Sequence, residues 1–165
     1  MRLLLDTTYV MPLAGIETER FGAGDFAELC SVEGVRLLLS PASLIEVKWL
    51  IIRETRGQPE LRERLRRRYR DMLSFVLYGG AIELVPLLDE GIDEDENRLL
   101  DLGVRDYFDR VIFSAALHYA DALLTEDEEL RDVWRRTPDY RRSLTLYTWQ
   151  SLKSWLVREG VSPDA

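Results

Sequence analysis

The sequence contains a single cysteine, Cys30. One cysteine cannot form an internal disulfide, and it cannot build a metal cage of several thiolates. A small secreted domain held together by disulfides and a zinc finger rich in cysteine are therefore excluded. A lone cysteine is also typical of proteins that work in a reducing compartment.

Long apolar runs are also missing. A helix that crosses a bilayer needs roughly 20 consecutive apolar residues, and runs such as residues 49–52 or 37–39 are far shorter. Arg2 provides the basic start of a secretory signal, but Asp6 ends the apolar run at residues 3–5. We therefore expect no membrane span and a cytoplasmic location.

Basic residues are in the minority. The chain has 22 lysines and arginines against 30 aspartates and glutamates, a formal net charge of -8. This balance argues against a protein that coats nucleic acid through bulk electrostatics, although it allows a local basic patch. With 165 residues and 46% hydrophobic content, the chain can bury one substantial core. We predict a single domain over residues 1–165.

Five short apolar runs have the length of β-strands, and most are separated by segments with helical periodicity. Strands that alternate with helices predict a mostly parallel sheet covered on both faces. The fold class expected is therefore α/β, with three layers and a five-stranded sheet flanked by helices. The five predicted strands are Leu3–Leu5, Arg36–Leu39, Ile82–Val85, Ala122–Leu124 and Leu144–Tyr147.

Three helices are indicated by their first residues and by apolar spacing. Ser40-Pro41 predicts a helix that runs to about Arg56, since proline is favoured in the first helical turn. Gln58-Pro59 predicts a second helix to about Tyr78, which Gly79-Gly80 ends. A third helix is expected from Asp109 to about Tyr119.

Four acidic residues are candidates for one shared site. Asp6 directly follows the first strand, and Asp127 comes just after the strand that ends near Thr125. If these two strands are parallel, both acids lie at the carboxyl edge of the sheet, where open α/β sheets bind ligands. Asp109 begins a helix and Glu46 lies in the first half of another. Both can reach that edge from above the sheet.

Such a cluster creates a demand for a cation. Two unit charges about 4 Å apart repel by about 4 kcal/mol at an effective dielectric constant of roughly 20, and four acids make several such pairs. Protonation can relieve part of this repulsion. An all-oxygen site suits Mg²⁺ or Mn²⁺, which bind carboxylates and phosphate oxygens together. Phosphodiester chemistry is the natural use of the site.

Taken singly, each acid has a simpler interpretation. Asp6 can be a turn residue and Asp109 a helix cap, because aspartate favours both places. Asp127 stands within a run of acids at a helix start. Glu46 is harder to dismiss, because apolar residues surround it and an unpaired buried carboxylate is costly. Asp106 is a reserve candidate, since it precedes Asp109 closely.

Other charged residues have structural interpretations first. His118 shares a helix stripe with Val111 and is interpreted as structural. The acids between Asp89 and Glu96 are interpreted as a solvated loop or helix start.

The segment from Arg53 to Arg70 is rich in arginine and has two interpretations. It can guide an RNA backbone toward the acids. Alternatively, Glu60 with Arg64 and Glu63 with Arg67 have the i, i+4 spacing of ion pairs on a solvated helix face. The sequence leaves both open.

The four acids lie in motifs that resemble, in sequence and in order, those of PIN-domain nucleases. The resemblance runs from residue 3 to about residue 149, and the ordered set is more specific than any one motif. Phe113 and Ser114 depart from it, since small alanine-like residues are usual there. The motifs are Leu4-Leu5-Asp6-Thr7, Ser43-Leu44-Ile45-Glu46, Asp109-Arg110-Val111-Ile112-Phe113-Ser114-Ala115-Ala116 and Leu124-Thr125-Glu126-Asp127.

The resemblance implies a function and roles for these residues. Asp6, Glu46 and Asp109 would bind Mg²⁺ or Mn²⁺, Asp127 would be a further ligand directly or through water, and Thr125 would orient the site. The expected activity is metal-dependent endonucleolytic hydrolysis of single-stranded RNA. Many members of the family are VapC-type toxins held by an antitoxin protein in a type II toxin–antitoxin pair, and the resemblance also suggests a homodimer.

Two other functions compete with this one. A catalytically weak binding module could keep the PIN fold and act as a scaffold for RNA or protein. A phosphotransferase of the haloacid-dehalogenase type also has an aspartate after its first strand. It needs a second aspartate two residues later, however, where this chain has Thr8.

Overall fold

The centre of the protein is a five-stranded, fully parallel sheet. In the computed structural model, which describes residues 1–159, the strand order is β3-β2-β1-β4-β5. The predicted α/β fold with a parallel five-stranded sheet is therefore confirmed. The strands are β1 (Arg2–Leu5), β2 (Arg36–Leu39), β3 (Ile82–Leu84), β4 (Ala122–Leu124) and β5 (Thr145–Tyr147).

The central strands are apolar at successive positions because both faces of the sheet are covered. Successive side chains of a strand point to opposite faces, so Leu3 and Leu5 enter one hydrophobic core and Leu4 enters the other. All three are fully buried. Burial on both faces explains why these strands show a continuous apolar run instead of alternation.

Eight α-helices cover the two faces of the sheet in the described part of the chain. Helices α1, α2, α3 and α8 contribute most of their buried residues to the core around Leu3, and α4 to α7 pack on the core around Leu4. The helices are α1 (Ala23–Ser31), α2 (Pro41–Glu54), α3 (Pro59–Tyr78), α4 (Glu90–Asp101), α5 (Tyr107–Tyr119), α6 (Glu128–Arg136), α7 (Pro138–Ser143) and α8 (Trp149–Arg158).

Membrane crossing is not supported by these helices. Within residues 1–159, no helix combines the length and the apolar character that a bilayer span requires.

The predicted boundaries differ from the structure by one or two residues. Helix α2 ends at Glu54, and α3 has the predicted bounds. Helix α5 begins at Tyr107 and not at Asp109, because Asp106 caps it. The Asp106 carboxylate accepts hydrogen bonds from the backbone N–H of Phe108 at 2.8 Å and of Asp109 at 3.3 Å. Asp109 therefore lies inside the first turn of the helix.

The acidic segment before α5 forms a full helix, and one of its acids is buried. Asp89 caps α4, with its Oδ1 accepting from the backbone N–H of Ile92 at 2.8 Å. The solvated interpretation is wrong for Glu96, which is 9% exposed and pairs with Arg110. His118 lies at the surface, with its Nε2 2.9 Å from Asp95 Oδ2.

Candidate functional site

Asp6 and Thr125 are neighbours at the carboxyl edge of the sheet. Strands β1 and β4 pair with Leu5 opposite Leu124, so the residues that follow them meet. The Thr125 hydroxyl donates to Asp6 Oδ2 at 2.6 Å, and the backbone N–H of Thr7 donates to Asp6 Oδ1 at 2.7 Å. Both side chains are buried. The orientation of the Asp6 carboxyl group is therefore fixed.

Glu46 is brought to the same place by α2. The hydroxyl of Thr7, the residue that follows Asp6, donates to Glu46 Oε2. Ser40 caps α2, with its hydroxyl accepting from the backbone N–H of Ala42 at 3.2 Å. Glu46 thus lies in the second turn of a well-capped helix, linked through one threonine to the end of β1.

Asp127 and Asp109 lie at the starts of two further helices. Asp127 caps α6, accepting from the backbone N–H of Leu130 at 2.7 Å, and its own backbone N–H donates to the Thr125 hydroxyl at 3.1 Å. Asp109 is half-buried in the first turn of α5. Its carboxyl group has no hydrogen-bond or ion-pair partner among residues 1–159, so its charge is uncompensated by direct contacts.

The acids affect one another's protonation, which shows that they share one electrostatic environment. Burial raises the pKa of Asp6 to about 6, and the charges of Asp127 and Asp106 add to this, although hydrogen bonds partly oppose it. Burial likewise raises the pKa of Glu46 to about 7, with Asp6 and Asp106 contributing. Burial is also the main reason why the pKa of Asp109 is raised to about 8, and the negative charges of the other four acids raise it further.

Few cations compensate this charge. Arg53, on α2, lowers the pKa of Glu46 through its charge, but less than burial raises it. Arg110 is next to Asp109 in the sequence, yet it pairs with Glu96 and donates to two backbone carbonyl oxygens. Arg20 pairs with Glu126. The cluster therefore keeps a demand for an external cation.

The structure brings all four predicted acids, and the reserve candidate Asp106, to one edge of the sheet. They do not yet form a closed coordination shell: in the part of the chain that the structure describes, no three Asp, Glu, His or Cys side chains are close enough together to hold a metal ion. Their oxygens are nevertheless the donor type that Mg²⁺ and Mn²⁺ prefer. The chemistry of the donors therefore suits such an ion, although their present spacing does not enclose one, and the metal-ligand roles stay predictions.

The sequence pattern did not identify two residues that shape this region. Thr7, which links Asp6 to Glu46, is signalled only by its position after Asp6. Glu126 fixes the loop that carries Asp127: it accepts from the Tyr9 hydroxyl at 2.7 Å and from the backbone N–H of Trp149 at 2.9 Å. Burial opposes ionisation of Glu126, but these hydrogen bonds and Arg20 lower its pKa. Its role is structural.

We expect the metal-free protein to lose stability as the pH rises from 5 to 9. The pKa values of Asp6, Glu46 and Asp109 are raised in the folded state. Their protonated forms therefore stabilise the fold fully below the unfolded pKa values near 4. That stabilisation is lost as the pH passes through about 6 to 8.

Thermal unfolding in EDTA, followed by circular dichroism across this range, measures the effect, which we expect to be at least about 2 kcal/mol. The acids with lowered pKa values, such as Asp121 and Asp139, titrate at lower pH and leave this window unaffected. A thermal midpoint that is constant or rises between pH 5 and pH 9 would contradict the electrostatic coupling of the cluster.

Comparisons with known proteins are informative for the fold. No family model matches the sequence, and no curated protein matches it. Among solved structures, the chain is similar to one in the crystal structure of VapBC2 from Rickettsia felis bound to a DNA fragment from its promoter. The TM-score is 0.59 at 18% identity, over 90% of this chain and 99% of that chain. The two chains share a fold. At this identity the similarity concerns the fold alone.

Proposed function

We propose that this protein is a metal-dependent endoribonuclease that hydrolyses phosphodiester bonds of single-stranded RNA. The observation that carries the proposal is the convergence of Asp6, Glu46, Asp109 and Asp127 at the carboxyl edge of a parallel sheet. There, burial and the charges of neighbouring acids raise the pKa values of Asp6, Glu46 and Asp109. A protein has little structural reason to gather four acids without compensating cations. Binding of a divalent ion and a phosphate group supplies such a reason.

Asp6, Glu46 and Asp109 would hold Mg²⁺ or Mn²⁺, with Asp127 as a further ligand directly or through water. When bound, the ion would act as a Lewis acid that offsets negative charge on the phosphoryl oxygens of the substrate. A phosphate alone would be repelled by this cluster, so the same acids make the placement of the scissile phosphate among them depend on the metal.

The remaining residues of the site orient the acids. Thr125 holds Asp6 through its hydroxyl and Asp127 through the backbone, so one buried side chain sets the separation of two carboxyl groups. Thr7 does the same for Asp6 and Glu46. These contacts exist before any ligand binds, so the orientation of Asp6 and Glu46 is already restricted. The acids would still have to move closer together to share one ion.

The direct test is RNA cleavage by the Asp6→Asn variant. We expect purified wild-type protein with Mn²⁺ to cleave a labelled single-stranded RNA, and expect the variant to be at least a hundredfold slower. Asp101→Asn is the matched control, since Asp101 is exposed at the end of α4 and should leave the rate unchanged. Equal products from wild type and Asp6→Asn would indicate a contaminating nuclease and remove the proposal.

A toxin role is a finer form of the same proposal. The fold shared with a chain of VapBC2 supports an antitoxin protein as the partner of this chain, and we propose a homodimer as its own assembly. A small neighbouring gene that encodes a DNA-binding amino-terminal half would favour the toxin role. Without such a gene, a stand-alone processing enzyme is favoured.

One observation favours the alternative of a binding module that keeps the fold without catalysis. No three acids in residues 1–159 form a ready-made metal site. The cleavage assay separates the two functions: a binding module would retain RNA affinity and show no Mn²⁺-dependent product.

A further inference from the structure

Positive charge is concentrated in one stretch of this acidic chain. From Lys48 to Arg70 there are nine basic and three acidic residues, a net charge of +6, whereas the rest of the chain has 13 basic and 27 acidic residues, a net charge of -14. Most of this stretch lies on α2 and α3. One side of the protein is therefore electropositive, and it can attract a polyanion that the rest of the surface repels.

Most arginines of α3 have no ion-pair or hydrogen-bond partner in the described part of the chain. The pairs expected from spacing, Glu60 with Arg64 and Glu63 with Arg67, do not form. Arg62 is the exception among the described α3 arginines, since it donates to the hydroxyl and the backbone carbonyl of Thr55. Like charges three or four residues apart on a helix repel, so an external anion would relieve the helix. In the described chain, five exposed arginines of α3 have neither an ion pair nor a side-chain hydrogen bond: Arg64, Arg66, Arg67, Arg68 and Arg70.

Two of these arginines line a groove between α2 and α3. The groove has a volume of about 320 Å³ and is bordered by Lys48, Arg66 and Arg70, with no acidic residue in its lining. Tyr69 forms part of it, with its ring 5.7 Å from Lys48 Nζ and its hydroxyl donating to the backbone carbonyl of Leu44 at 2.9 Å. Three cations around one groove fit an anionic group. Arginine in particular matches the geometry of a phosphate.

The exposed face of α2 connects this groove with the acid cluster. At 3.6 residues per turn, Glu46 lies at one edge of that face, Lys48 at the other, and Trp49 between them. Trp49 is 56% exposed, and Arg53 Cζ lies 5.7 Å from its ring centroid. An exposed tryptophan next to a guanidinium group is a suitable surface for stacking an unpaired base.

We propose that a single-stranded nucleic acid crosses the exposed face of α2 on its way to the acid cluster. Its backbone phosphates contact Lys48, Arg66 and Arg70 in the groove, one unpaired base stacks on Trp49, and the strand reaches the cluster at Glu46. The distance across is about one helix diameter, roughly 10 Å. This inference rests on the proposed function, for which it supplies the substrate-binding surface.

The phosphate contacts are tested by the salt dependence of binding. A short fluorescein-labelled single-stranded RNA is titrated with protein in EDTA, and fluorescence anisotropy is recorded at several salt concentrations. We expect Arg66→Gln/Arg70→Gln to weaken binding and to reduce the slope of log K against log salt by about 1.4, the value for two lost phosphate contacts. The matched control is Arg136→Gln/Arg141→Gln, which removes two exposed arginines without ion pairs from α6 and α7 and should leave both quantities unchanged.

The stacking contact has a different signature. Trp49→Ala is expected to weaken binding of the same RNA about tenfold without changing the salt slope, because no charge is removed. Trp49→Phe keeps an aromatic ring and should recover much of the affinity. Unchanged circular dichroism spectra confirm that the exposed substitutions leave the fold intact.

The proposal is overturned if Arg66→Gln/Arg70→Gln and the control double variant bind RNA with equal affinity. It is overturned as well if Trp49→Ala binds RNA as tightly as the wild type does, or if duplex RNA binds better than single-stranded RNA. It is also overturned if a polyglutamate peptide competes as strongly as RNA, which would make the groove a protein-docking surface. Because EDTA removes divalent ions, these binding results do not depend on cleavage. Specific binding without Mn²⁺-dependent cleavage would reject the proposed function alone.

Discussion

Asp109→Asn is expected to lower the rate of RNA cleavage by about a thousandfold and, at the same time, to make the metal-free protein more stable. The carboxyl group of Asp109 has its pKa raised to about 8 by burial and by the charges of four other acids. An amide of the same shape removes that repulsion. At pH 9 and in EDTA we expect a gain of about 2 kcal/mol, which corresponds to a thermal midpoint several degrees higher.

The opposite signs make this experiment discriminating. A substitution that only damages the fold lowers both activity and stability. In contrast, substituting a residue that is kept for function at a cost in stability lowers the activity and raises the stability. Asp101→Asn provides the reference, since an exposed aspartate at the end of α4 should change neither quantity by much. An Asp109→Asn variant that is less stable than wild type at pH 9 in EDTA would refute the repulsion argument.

The sheet could be predicted because its signal is local. Runs such as Leu3–Leu5 and Leu37–Leu39 are apolar at every position, which is expected only where both faces are buried. From parallel strands it follows that Asp6 and Asp127 lie at one edge, and the structure confirms the shared edge, since Thr125 contacts both residues. The placement of the acids at this edge was therefore accessible from sequence alone.

Side-chain contacts between residues that are far apart in the sequence could not be predicted in this way. Glu96 lies in a run of acids that is typical of a solvated surface, and only its position on α4 in the fold, opposite Arg110, explains its burial. Similarly, Thr7 and Glu46 are 39 residues apart, and nothing in their local sequence links them. The pairs Glu60 with Arg64 and Glu63 with Arg67 show the reverse error, since correct spacing does not by itself make an ion pair.

Glu96→Ala is expected to destabilise the protein by about 3 to 5 kcal/mol, because it leaves the buried Arg110 without its partner. The side chains of this pair are only 11% and 9% exposed, so water can replace the lost carboxylate poorly. For a chain of this size the thermal midpoint should fall by about 10 °C. Glu94→Ala, an exposed residue on the same helix, should shift it by no more than about 2 °C.

The same substitution should also impair the site at a distance. Arg110 donates to the backbone carbonyl oxygens of Val104 at 3.0 Å and Arg105 at 2.7 Å, and these residues precede Asp106 and α5. Glu96 thus holds Arg110 in the position that fixes the start of α5, where Asp109 lies. At a temperature at which both variants are folded, we therefore expect the Glu96→Ala protein to cleave RNA more slowly than the Glu94→Ala protein. A Glu96→Ala protein with wild-type stability and rate would show that this buried pair is dispensable, and that the start of α5 is fixed by the Asp106 cap and apolar packing alone.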